Sequence, residues 1–474
     1  MNRRGFLRST AGGLGLLALQ RLIAEGKEAP VHGARVGVRD DHSLVAKGPH
    51  HRRQAKAVIC LFQHGGPSQI DLFDPKPELN RWHGKEYPGD DLEIHFDRQA
   101  GKLLGSPFRF QPEWQTGIEF SELLPHTARI AGDLTLIRSM VTTAIDHDLA
   151  LRVIHTGKVE FGRPTLNSWA IYGLGSERRD LPAYVVLPDP KGLPIAKSDN
   201  WSAGWLPAIY QGTEIRSQGS PIFDLARPPK VSRAARANQL RFLKQLNEAE
   251  LREYPGNSEL NARIRNFELA AQMQTSVNEV LDLSKESAET RALYGLDHAN
   301  PATANYAKRC LMARRLVEQG VPFVQIFLDR QPWDTHTDNA KQLRDLTLMT
   351  DQPSAALVED LKRRGLLDST IVLWCGEFGR LPVAQGTDGR DHSRHGFSLW
   401  LAGGGFKRGV VHGATDEFGA HAARDIVSVH DFHATLLYAL GLDHEKLKYP
   451  HAGRLDSLTD PEITYARVVH ELLA

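Results

Sequence analysis

Cysteine is scarce. Cys60, Cys310 and Cys375 are the only three in 474 residues, and no two of them form a C-x-x-C pair. This excludes a disulfide framework and leaves three buried thiols, two in strand-like runs and Cys310 in a helical one. An excess of either charge is also missing. The 58 Lys and Arg residues against 57 Asp and Glu give a net charge of +1, so nothing points to nucleic acid or an acidic surface as partner. No apolar run reaches the ~18 residues needed to span a bilayer, so no stable membrane span is expected. Neither an internal repeat nor a low-complexity segment is present. What remains is the composition of a soluble globular protein, 41% hydrophobic and 24% charged, long enough for one large domain or two ordinary ones.

Histidine is abundant, with 21 in the chain and ten of them after residue 330. The N-terminus reads as an address. Arg3–Arg4 precede Phe6–Leu7 and a short Gly/Ala/Leu run, the pattern of a twin-arginine signal. Residues 1–30 are therefore expected to be a signal segment. The twin-arginine export machinery is then a partner, and the destination is periplasmic or otherwise exported. Polar, aperiodic residues 31–54 read as a linker.

From residue 55 onward, apolar runs alternate with helical patterns. Strands are expected at 57–62, 134–140, 183–187, 321–328, 369–375 and 397–403, and helices at 148–156, 303–319, 339–365 and 429–440. Long helical periodicity over 232–294 suggests a helical insertion, at about 232–319, over the sheet. The alternation predicts an α/β fold, a three-layer α/β/α sandwich with a largely parallel sheet, filling 55–474.

Ligands of such sheets bind beyond the carboxyl ends of the strands. The polar residues at those ends are His64, Ser68 and Asp71 after the first strand, and Asp146 and His147 after the second. Asp334 and His336, in "QPWDTHTD", follow the fourth and Glu377 the fifth, while Asp391, His392 and His395 precede the sixth. Each has an ordinary explanation: Asp334 as a helix N-cap, Glu377 paired with Arg380, His392 as a solvated loop residue. Five connections delivering carboxylates and imidazoles toward one edge point instead to a shared metal or phosphate site. Arg138, Arg152 and Arg390 are candidate anion clamps, and Ser68 a cap or a substrate contact. "AGGGFKRG" (402–409) lacks the spacing of a phosphate loop.

The segments "HGGPSQIDLFDPKPELN" (64–80), "LLPHTARIAGDLTLIRSM" (123–140), "WDTH" (333–336), "GEFGR" (376–380) and "GRDHSRHGFSLWLAGGG" (389–405) resemble domain-of-unknown-function family 1501. That family is sulfatase-like and similar to the alkaline phosphatase superfamily. The resemblance covers about residues 55–460 and implies an alkaline-phosphatase-like sandwich with one or two divalent ions, zinc, calcium or manganese. It places Asp334, His336 and Glu377 among the metal ligands, with His64 at the first-strand position and Asp71 as its substitute. His392 and His395 stand at the late histidine position, where they could bind the oxyanion or protonate the leaving group.

The sequence departs from the superfamily pattern at two points. Phe378 stands where an Asp-His pair has its histidine. His147 stands nine residues before Thr156, where a Ser, Thr or Cys nucleophile is expected, and the sulfatase signature C/S-x-P-x-R is absent. His147 can then be a metal ligand, a direct nucleophile or a residual polar group. The expected function is an exported, metal-dependent hydrolase of phosphate or sulfate esters, using metal-activated water, on a small-molecule or polysaccharide substrate. The alternative is a non-catalytic binding or surface protein on the same fold.

Overall fold

The structure is a computed structural model that describes residues 44–96, 99–178, 180–219, 221, 232–254, 260, 264 and 280–474. The expected signal segment and linker residues 31–43 lie outside them. Residues 44–54 are not a free linker. Ser176 N donates to Leu44 O (2.8 Å), Lys47 N to Leu174 O (2.7 Å) and His50 N to Gly441 O (2.8 Å). Residues 44–54 accordingly belong to the main compact unit.

Eleven strands matter for the site: β1 (Ala57–Phe62), β2 (Leu134–Val141), β3 (Tyr184–Leu187), β4 (Thr213–Glu214), β5 (Phe323–Ile326), β6 (Thr370–Cys375), β7 (Gly379–Gln385), β8 (Gly389–Ser393), β9 (Phe397–Ala402), β10 (Val410–His412) and β11 (Val427–Ser428). Nine of these form the main sheet, in the order β10-β2-β9-β6-β1-β5-β3-β4 with β11 also on β2. All pairings are parallel except those of β9, which runs against β2 and β6. The start of β9 therefore lies at the edge where its neighbours end.

The longer helices are α1 (His147–Thr156), α2 (Leu166–Leu174), α3 (Arg233–Glu253), α4 (Ala288–Tyr294), α5 (Pro301–Glu318), α6 (Asn339–Arg363) and α7 (Val429–Ala439). Val58, Cys60 and Phe62 of β1 face a core shared with α1, α2 and α7. Ala57, Ile59 and Leu61 face the opposite core, shared with α5 and α6. Burial on both faces explains why the central strands read as continuous apolar runs rather than alternating ones. The expected three-layer α/β/α fold is thus present. The three cysteines are buried and free. Helix α5 belongs to the layer against the sheet, so the segment 232–319 is not wholly an insertion.

One feature was not expected. β7, β8 and the short strand Ala100–Leu103 form a separate antiparallel sheet beside the edge where the parallel strands end. Among the described residues, no helix is long and apolar enough to cross a membrane.

Candidate metal centre

Four side chains from three connections converge. His147 follows β2, Asp334 and His336 follow β5, and His392 lies on β8 just before β9. One ligand atom from each lies within 4.8 Å of all the others. Asp334 Oδ1 is the hub, 2.8 Å from His336 Nε2, 3.1 Å from His147 Nε2 and 3.2 Å from His392 Nε2. The two Nε2 atoms of His336 and His392 are 3.0 Å apart.

Each imidazole is oriented by its other nitrogen. His147 Nδ1 is 2.7 Å from Glu377 Oε1, His392 Nδ1 is 2.8 Å from the carbonyl of Ile145, and His336 Nδ1 meets Gln385 Oε1. All three partners are acceptors, so this network assigns the Nδ1–H tautomer and turns each Nε2 lone pair inward. Two lone pairs meeting at 3.0 Å repel unless a cation stands between them. His147 Nε2 is buried and close to Asp334, yet not aligned to hydrogen-bond with it. Donors about 3.3–3.6 Å apart would surround a tetrahedral ion with bonds of about 2.0–2.2 Å. Carboxylate, carbonyl and amide acceptors behind the ligating histidines are the usual outer layer around such an ion. The donor set fits a divalent metal.

The local chain explains how each ligand is held. Asp146 caps α1, accepting from Asp148 N at 2.9 Å and Leu149 N at 3.4 Å, which fixes His147 in the first turn. Asp334 is not a cap; the residue preceding α6 is Asp338. The "WDTH" turn is pinned by Trp333, whose N–H donates to Gln63 Oε1 at 3.0 Å and whose backbone N–H donates to His64 O at 3.0 Å. Gly65, at φ +109°, passes so close that a Cβ there would collide with the Asp334 amide. Only glycine combines that conformation with that approach.

Arg380, which the sequence suggested only as a partner for Glu377, is completely buried. It donates to Asp334 Oδ1 (2.6 Å), Trp333 O (3.2 Å), Gly66 O (2.9 Å), Arg390 O (3.0 Å) and Gly65 O. It ties together the segments after β1, β5 and β6.

The titration behaviour follows from these neighbours. Burial alone would strip the charge from His147, but the carboxylates of Asp334 and Glu377 on either side of the ring outweigh it and raise its pKa to about 9. Burial, reinforced by Arg380 and His147 against the pull of Asp334, lowers His392 to about 4. Burial works against the charge of Asp334, yet the three histidines and Arg380 hold its carboxyl far below the usual range.

The other expected residues lie elsewhere. Glu377 is not in the ligand set. It stands behind His147 and accepts from Gly65 N at 2.8 Å. His64 is buried against Phe62 and Phe327, with ring centroids 4.6 and 5.1 Å away; burial, with His155 and His147 nearby, keeps it neutral. Asp71 is spent on Arg390 (2.7 and 3.1 Å), Ser68 (2.6 Å) and Asn339 (2.9 Å). The same contacts remove Ser68 and Arg390 from any substrate. Arg138 faces Asp74 at 3.8 Å, and Arg152 lies over the Phe161 ring and donates to Val159 O. His395 pairs with Glu93 at 2.8 Å. Phe378 packs against His147 and His392, with centroids 4.7 and 4.6 Å away.

A family described as "Protein of unknown function (DUF1501)" matches residues 55–473. No protein of curated function matches the chain. Among solved structures, the PsFucS1 sulfatase from Pseudoalteromonas sp. is 12% identical, with 89% of this chain and 72% of that one covered and a TM-score of 0.38. The lipoteichoic acid synthase LtaP from Listeria monocytogenes is 8% identical, with coverage of 85% and 77% and a TM-score of 0.36. The phosphonate monoester hydrolase SpPMH from Silicibacter pomeroyi is 11% identical, with coverage of 89% and 76% and a TM-score of 0.34. Likeness at this level carries no argument for a shared activity.

Proposed function

The chain belongs to that family, and we propose that it is an exported, metal-dependent hydrolase of phosphate or sulfate esters. The observation that carries the reading is the convergence of three inward-facing Nε2 atoms on one carboxylate oxygen, each imidazole backed by an acceptor. Three nitrogens and one oxygen suit zinc or manganese better than calcium, which takes oxygen ligands.

When bound, such an ion supplies polarisation of an ester oxygen and acidification of water. The chain does the rest. His147, Asp334, His336 and His392 would hold the ion. Glu377, Gln385 and the Ile145 carbonyl keep the imidazoles in one tautomer. Arg380 balances the charge of Asp334 and locks the loops that carry it. His147 stands where a Ser, Thr or Cys nucleophile is expected and is one of the ligand group, so water rather than a side-chain hydroxyl is the nucleophile in this reading. The twin-arginine pattern supports export, and a small-molecule or polysaccharide ester is the substrate.

Phe378 favours a second reading, a binding protein that keeps the ion without turnover, because an apolar ring packs against both His147 and His392 where the superfamily pattern has a histidine. Hydrolysis of 4-nitrophenyl phosphate and 4-nitrophenyl sulfate by zinc- or manganese-loaded protein, beside the His336→Ala variant, separates the two. Turnover lost in the variant supports the hydrolase. No turnover from a metal-loaded protein supports the binding reading.

A further inference from the structure

The segment Leu92–Phe96 is two-sided, with bends at His95 and Phe96. Leu92 and Ile94 pack toward a small satellite core with Ile70, Leu79 and Val383, while Glu93 and His95 reach residues around His392. The segment is fastened to the residues around His392. The backbone N–H groups of His95 and Phe96 donate to Asp391 Oδ2 at 2.9 and 2.8 Å. The other oxygen of Asp391 accepts from His392 N at 2.8 Å, and Glu93 pairs with Arg394 and His395.

This strap stands where the centre meets solvent. Of the four ligand side chains, His336 is the most exposed, at 23%. Phe96 stands edge-on to the His336 ring, with centroids 5.1 Å apart and planes at 90°, and is itself 38% exposed. His95 lies over His392, with centroids 5.0 Å apart and planes 19° apart. An inorganic oxyanion needs only the ion and hydrogen-bond donors. An exposed aromatic ring at the open ligand offers apolar contact, which only the organic part of an ester can use.

We propose that the strap Glu93–Phe96 is the wall that reads the organic part of the substrate, and that Phe96 selects esters of ring alcohols, aryl or sugar-like, over small alkyl ones. The inference rests on the ester-hydrolase reading above. Phosphonates, whose P–C bond resists hydrolysis, test it by binding alone. Calorimetry on zinc-loaded protein should show phenylphosphonate binding tighter than methylphosphonate by about fivefold, the factor a single aromatic contact of about 1 kcal/mol gives. In Phe96→Ala the two affinities should converge, with metal content by elemental analysis unchanged. Asp391→Asn, which loosens the strap without removing the ring, should shrink the difference as well. Equal affinities in the wild type, or a preference that survives Phe96→Ala, would overturn the role of Phe96 and leave the hydrolase reading standing. Binding of neither phosphonate, nor of inorganic phosphate or sulfate, to metal-loaded protein would overturn the ester-hydrolase reading itself.

Discussion

His147 shows how its neighbours decide the chemistry of one imidazole. Between Asp334 and Glu377 its pKa without metal is raised to about 9. A metal must displace that proton, because only the neutral ring is a ligand. Apparent metal affinity should therefore rise with pH, by up to about tenfold per unit from this group, and level off above about pH 9. Zinc titrations in buffers of different ionisation enthalpy would read the released proton directly. Stability of the metal-free protein runs the other way. A raised folded-state pKa contributes stability that is complete below the unfolded value near 6.5 and is lost as pH rises through about 9. Glu377→Gln keeps an acceptor but removes the charge behind His147. It should weaken zinc binding by about 10–100-fold, the usual cost of altering an outer-layer partner; an unchanged dissociation constant would remove Glu377 from the site. Asp334 and His336 could be read from "WDTH" because the turn follows a recognisable strand. Arg380 could not, since a buried arginine bound mainly to backbone carbonyls leaves no pattern in the sequence.

At the scale of elements, the six apolar strands and helices α1, α5, α6 and α7 were legible to within a few residues, because burial on two faces or one writes itself into hydrophobic spacing. β7 and β8 were not. β8 is "GRDHS", and all five residues are buried, but their burial is satisfied by hydrogen bonds and ion pairs instead of apolar packing. Asp71 and Arg390 are the clearest case. Both side chains are fully buried and paired at 2.7 Å, so each looked available to a ligand when only its type was known. Removing one partner of such a pair costs about 3–5 kcal/mol. Arg390→Ala should lose stability of that order in urea unfolding, and a loss within experimental error would contradict the pairing. Gly65→Ala tests the close approach of the loops after β1 and β5. It should displace Asp334 and reduce metal binding even where the fold survives, as seen by comparing metal content with near-ultraviolet circular dichroism.

For the whole molecule, the reversed direction of β9 is what completes the centre. It brings the residues before β9 to the edge where β2 and β5 end, so residues almost 250 apart in sequence share one carboxylate. The resemblance noted from short motifs and the fold read from alternation pointed to this edge, while the membership of the ligand set needed the tautomers and distances. The proposed export is tested on the whole chain: replacing Arg3 and Arg4 with Lys should leave the precursor in the cytoplasm, and normal export of that variant would contradict the twin-arginine reading. The most direct test of the metal centre is elemental analysis of the purified protein beside the His336→Ala variant, after both are offered zinc and manganese and freed of excess. The account predicts stoichiometric metal in the wild type and its loss from a still-folded variant. Metal absent from the wild type, or retained equally by the variant, would contradict it.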